Sequence, residues 1–154
     1  MRVSHKIGLL IGLIALMLLA LLLPRTGHAD QSASFGDFVV RYSAITTDQL
    51  FPAVAKTYGI ERSTRNGLVN IAIEKKDAGG EGAMIAAAVD GSVADLTGHS
   101  KPIRFRETNE EGAIDYLGEF PIDGSGTYVF RINVTPHGQA RPYTITFNRD
   151  YVLD

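Results

Sequence analysis

The chain has 154 residues, with 15 Lys and Arg against 17 Asp and Glu, and no Cys or Trp. Without cysteine it has no disulfide, thiol nucleophile or thiolate metal ligand. A faintly acidic balance is a poor match for nucleic acid or anionic lipid, since both demand a basic patch.

Residues 7–23 form an unbroken apolar run behind Arg2 and Lys6, ended by Pro24 and Arg25 and followed by Gly27-His28-Ala29. A basic start, an apolar stretch and a small-x-small site make a signal peptide over 1–29, a signal helix cleaved before Asp30. The rival reading is an uncleaved anchor, because about 18 apolar residues can span a bilayer. Either reading predicts export, to the periplasm of a bacterium. The remaining 30–154 segment is one domain, long enough to bury a core. It keeps twelve basic and all 17 acidic residues, a net charge of −5.

In chain order, Phe38, Val40 and Tyr42 alternate with Val39, Arg41 and Ser43, which predicts a strand. Asp48–Gly59 reads as a short helix, with Pro52 in the first turn and Gly59 at the end. Val54, Ala55 and Tyr58 share one of its faces. A helical link of this size places the flanking strands in different sheets. Leu68–Ile73 is the second strand. Ala83–Val89 is a third, with Asp90-Gly91 a turn signal behind it and Val93–Thr97 another short strand. Ile103, Phe105 and Glu107 share one parity of the next strand, and Asn109–Gly112 turns the chain. Ile114, Tyr116 and Phe120 follow, with a bulge at Gly118. The segments 128–135 and 143–148 alternate most cleanly, each with one apolar and one polar face.

Short strands at regular spacing with one helical link predict an all-β fold. It is a two-sheet antiparallel β-sandwich, immunoglobulin-like, with a closed barrel as the alternative. The predicted core is Val40, Tyr42, Val54, Ile71, Ile73, Phe105, Tyr116, Phe130, Ile132, Ile145 and Phe147.

No motif carries a reaction. Ser63, Ser92 and Ser100 lack a nucleophile elbow. Gly79, Gly80 and Gly82 precede a strand rather than open a helix, so they make no phosphate loop. His99 and His137 have no partner at ligand spacing, and Met84 is the one methionine after residue 29. We expect no metal, no cofactor and no catalytic residue. The densest charged groups are the turn with Arg62 and Arg65 and the hairpin with Arg104 and Glu107. Glu107 lies on the core-facing parity, where a carboxylate needs a partner. An arginine is expected there, Arg62 ahead of Arg65 and Arg104, and these four residues frame the expected binding surface.

Three blocks carry a family resemblance: Phe35-Gly-Asp-Phe-Val-Val-Arg-Tyr42, Thr47-Asp-Gln-Leu50 with Pro52 to Ile60, and Arg62-Ser63 with Gly67-Leu-Val-Asn-Ile71. Leu96-Thr-Gly98, Arg104-x-Arg-Glu107 and Ala113-Ile-x-Tyr-Leu117 extend it. Their order and spacing resemble domain of unknown function 4426, a family of small exported proteobacterial proteins. The resemblance implies a periplasmic, mostly β domain and no assigned activity, ligand or site. The expected function is a non-enzymatic binding or accessory module contacting a protein or peptide. The alternative is a periplasmic enzyme with a carboxylate and arginine site.

Overall fold

The computed structural model describes residues 31–153. The expected signal peptide over 1–29 and its expected cleavage site lie outside the described residues. Ten strands, β1 (Gln31–Phe35), β2 (Phe38–Thr46), β3 (Asn66–Lys76), β4 (Gly82–Met84), β5 (Ala87–Asp95), β6 (Ser100–Ile103), β7 (Phe105–Glu110), β8 (Ala113–Pro121), β9 (Gly126–Pro136) and β10 (Tyr143–Tyr151), form two sheets. The first runs β1-β2-β3-β8-β7, with β4 beside the end of β3, and the second runs β10-β9-β5-β6. All pairs are antiparallel. The expected β-sandwich is the fold found, and no barrel closes. Among the described residues no helix is long and apolar enough to cross a membrane.

The core is the interlayer. Val40, Val69, Ile71 and Ile73 of the first sheet meet Phe130, Ile132 and Val134 of the second, all without solvent exposure. Tyr116, Ile145 and Phe147 complete it as predicted. Tyr42 and Phe105 pack against it but stay half-buried. Tyr42 rests on the Phe147 ring at 4.7 Å, and Phe105 belongs to the edge strand β7.

Several local expectations are corrected. The strands flanking the helix share one sheet: β2 pairs with β3 from Phe38↔Lys75 to Thr46↔Gly67. The link crosses the outer face of that sheet, so it can be long without changing layer. Asp90-Gly91 is no turn but the middle of β5, opposite Asn133 and Ile132. A Cβ on Gly91 would lie 2.6 Å from Ile132 Cδ1 and 2.7 Å from the Arg131 carbonyl oxygen, so close strand approach explains this glycine. Gly118 makes no bulge, because the ladder runs through it to Val69 and Phe105. Its missing side chain makes room for Ile103 and Phe105. The chain also changes sheet twice within predicted strands. It leaves the first sheet after Met84, and it returns to it between Ile103 and Phe105.

The helix α1 (Pro52–Tyr58) is present. Pro52 needs no N–H partner in the first turn. Gly59 takes φ 64°, a left-handed conformation that ends the helix, and the Ile60 N–H returns to the Ala55 carbonyl at 2.8 Å. Ala55 is its buried residue, whereas Val54 is 39% exposed and drops out of the predicted core. Seven residues on an outer sheet face bury one narrow stripe, and Val54 lies at its edge.

Tyr151 closes one end of the interlayer, edge-on to Tyr128 at 5.4 Å. Its hydroxyl is buried without a hydrogen-bond partner among the described residues. Desolvation is the main cause that raises the phenol pKa far above its usual range. The unfolded phenol ionises near pH 10, the folded one much higher. Its contribution is therefore intact below about pH 10 and lost as pH rises above it. Tyr151→Phe should flatten that alkaline limb and change neutral stability by less than about 1 kcal/mol. Urea midpoints at pH 7 and pH 11 give the check, and an unchanged alkaline loss would count against the burial.

Candidate functional site

The outer face of the first sheet carries a cleft roofed by α1. Outward parity presents Ser43 and Ile45 from β2, Leu68 and Asn70 from β3, and Asp115 and Leu117 from β8. Leu68, Leu117 and Ile60 pack as a small buried cluster separate from the interlayer. Leu50, Val54 and Tyr58 lean over it and leave a cavity of about 210 Å³, with Thr108 of β7 on its wall. Ser43, Asn70 and Asp115 also line an adjoining cavity of about 130 Å³ that extends to Arg41 and Ala72. One end of the cleft is apolar and the other polar.

Two anchors set the roof. The Arg106 guanidinium donates to the Tyr58 carbonyl oxygen at 2.6 Å, where the helix dipole favours a cation. Thr47 is wholly buried. Its hydroxyl donates to the Glu61 carbonyl oxygen at 2.7 Å, with that of Ser63 at 3.1 Å, and accepts the Ser63 N–H at 2.9 Å. This clamp pins the chain after the helix. At the rim, the Glu110 carboxylate facing Tyr58 raises its phenol pKa, with smaller effects from desolvation and the Asp115 charge.

Among the predicted site residues, no hydrogen bond or ion pair joins any two. Arg62 is exposed and donates to the Asp48 carbonyl oxygen at 2.5 Å. Arg65 is exposed, and its backbone N–H donates to Ser63 Oγ at 3.0 Å. Arg104 sits exposed at the crossover between β6 and β7. Glu107 has the core-facing parity, but β7 is an edge strand and leaves it exposed. The expected arginine pair is not formed. Tyr116 instead donates its hydroxyl to Glu107 Oε2 at 2.8 Å and accepts the Ala87 N–H at 2.7 Å.

That phenol ties β8 of one sheet to the start of β5 in the other. Tyr116→Phe should lose about 1–3 kcal/mol, because the Ala87 N–H is left without a partner. Glu107→Gln keeps an acceptor in an exposed place and should change stability by less than about 1 kcal/mol. Denaturant unfolding of both variants checks the order. A larger loss for Glu107→Gln would restore a buried charge pair.

His99 and His137 are exposed in turns at opposite ends of the second sheet, because β5 and β9 pair Asp95 with Tyr128 and Ala87 with Pro136. Eight strand positions separate those ends by about 26 Å. Asp95 Oδ1 accepts the Thr97 hydroxyl and the Thr97 and His99 N–H groups, an arrangement internal to its turn. These bonds, the Thr97 hydroxyl foremost, lower the Asp95 pKa.

Sheet order, outer-face helix and cleft define a two-layer β-sandwich whose candidate binding surface lies outside the interlayer. The chain belongs to the family described as Domain of unknown function (DUF4426), whose profile matches residues 32–154. The solved structure of a DUF4426 family protein from Pseudomonas aeruginosa PAO1 is 37% identical, with a TM-score of 0.69 over 82% of this chain and 98% of that one. Two more distant structures share the fold. FetP of uropathogenic E. coli, recombinantly expressed in the periplasm of E. coli, is 13% identical with a TM-score of 0.58, over 82% of this chain and 96% of its own. The copper-reconstituted P19 protein from Campylobacter jejuni is 9% identical with a TM-score of 0.57, over 81% of this chain and 96% of its own. No curated protein matches the sequence.

Copper in P19 raises the question of a metal here. Among the described residues, no group of three or more His, Cys, Asp or Glu could hold an ion. The two described histidines cannot share one ion across the sheet. The described donor set does not fit a copper ion.

Proposed function

We propose that this protein is a non-enzymatic binding module of the bacterial periplasm that seats a segment of a partner protein or peptide in the cleft beneath α1. The observation that carries this reading is the cavity of about 210 Å³ floored by Leu68 and Leu117. Small-molecule sites usually measure about 300–1,000 Å³. An apolar cavity of about 150 Å³ accepts one benzene. The present space suits one or two apolar side chains of a partner, not a whole metabolite. Phe51, 79% exposed at the start of α1 and next in the chain to the cavity-lining Leu50, offers an aromatic surface to a partner. The signal-like order of residues 1–29 supports the periplasm. An enzyme built on Arg62, Arg65, Arg104 and Glu107 gains no support, since these groups do not converge.

Peptides selected from a random display library on the immobilised protein provide the test. Selected peptides should share one or two apolar side chains and lose binding to Leu117→Trp, whose larger ring fills the cavity. Peptides indifferent to that substitution, or no selection at all, would count against the cleft.

A further inference from the structure

We infer that the polar end of the cleft is a cation subsite, so that the segment seated there carries an ammonium or guanidinium group next to its apolar side chain. This rests on the cleft reading above and names the chemistry of its occupant.

The carrying observation is unused hydrogen-bonding capacity. Ser43 pairs with Asn70 across β2 and β3, and Asp115 lies two residues before Leu117, the β8 partner of Asn70; all three line both the apolar cavity and its extension. Among the described residues, none of these three side chains makes a hydrogen bond to another protein group. Asn70 Oδ1 is buried with no hydrogen-bond partner among the described residues. Buried acceptors are ordinarily satisfied, and one left open beside a cavity calls for a donor from outside. A carboxylate, an amide oxygen and a hydroxyl together accept several N–H bonds, and the carboxylate favours a charged donor.

The surrounding charge points the same way. Arg41 in the extension is held by Glu74 at 2.9 Å, which neutralises it. Arg106, paired with Leu117 across β7 and β8, is engaged by the Tyr58 carbonyl oxygen. Glu110 and Asp115 together bear on Tyr58, and among the described residues Asp115 has no basic partner. The net charge of −5 over residues 30–154 draws cations toward the whole surface. An anionic head would meet Asp115 directly and leave Asn70 Oδ1 unsatisfied.

Three probes with one alkyl chain and different heads test the inference: hexylammonium, hexanol and hexanoate. Each is titrated into the isotope-labelled protein, purified as the cell produces it, while the Leu68 and Leu117 methyl signals and the Asn70 side-chain amide are followed. Hexylammonium should bind about tenfold or more tightly than hexanol, the scale of a charge-assisted hydrogen bond. It should move the Asn70 amide, and hexanoate should be weakest. Asp115→Asn should bring hexylammonium down to the hexanol level while hexanol binding is unchanged. Equal binding of all three heads, or an unaltered preference in Asp115→Asn, would overturn the cation subsite and leave the apolar cleft standing. No movement of the two leucine methyls with any probe would overturn the cleft and the subsite together.

Discussion

Phe130→Ala should destabilise the protein by about 3–5 kcal/mol, the range for removing a buried aromatic ring. Phe130 has no solvent exposure. It stacks on Phe147 with centroids 4.8 Å apart and planes within 9°, and meets Phe120 edge-on at 5.0 Å. Phe147 belongs to the same sheet and Phe120 to the other, so this ring joins strand pairing to layer packing. Truncation removes apolar burial, both aromatic contacts and the material that fills the space between β8 and β9. Native domains of this kind hold about 5–15 kcal/mol in total. The melting midpoint should therefore fall by something like 10–20 °C. Phe130→Leu keeps much of the volume and should recover most of the loss. A truncation loss under about 1 kcal/mol would place the ring outside the interlayer.

Strand faces were legible where alternation was clean. β9 and β10 read correctly because one face of each packs on the interlayer and the other meets solvent. The helix read correctly because Pro52 and Gly59 mark its ends by backbone chemistry that tertiary context does not alter. Sheet membership was not legible, because a period of two reports a face, never a layer. Ile103 and Phe105 keep one parity across the crossover at Arg104, since both sheets turn those residues toward the same core. Asp90-Gly91 misled for a related reason: turn residues are a local signal, and Gly91 answers to Ile132 on a neighbouring strand.

The cleft shows the same limit at the level of function. Ser43, Asn70 and Asp115 have the outward parity of an ordinary solvated sheet face. Only α1, folded back over that face, turns them into the wall of a cavity. For Glu107 the parity was right and the burial wrong, because strand order decides which inward residue sits at an exposed edge. Thr47 entered only as part of a family block, with no sign of its role: a threonine opening a short 3-10 turn looks like any polar linker residue.

Thr47→Val isolates what that hydroxyl does. The two side chains have nearly the same shape, so packing is preserved and the hydrogen bonds are deleted. The Ser63 N–H and the Glu61 carbonyl oxygen, each bonded to Thr47 Oγ1 in partly buried surroundings, would lose a partner. Each orphaned group costs about 1–3 kcal/mol, so the substitution should remove about 2–4 kcal/mol. Thr47→Ser is the complementary control. It keeps the hydroxyl and deletes one methyl, worth about 1 kcal/mol. If the clamp fixes the link after α1, valine should be the worse of the two, and amide exchange should quicken at Ser63 and at Ile60, whose N–H closes the helix end on Ala55. If valine were tolerated better than serine, the residue would be a packing element of the core. The roof of the cleft would then be held by Arg106 and the buried stripe of α1, without Thr47.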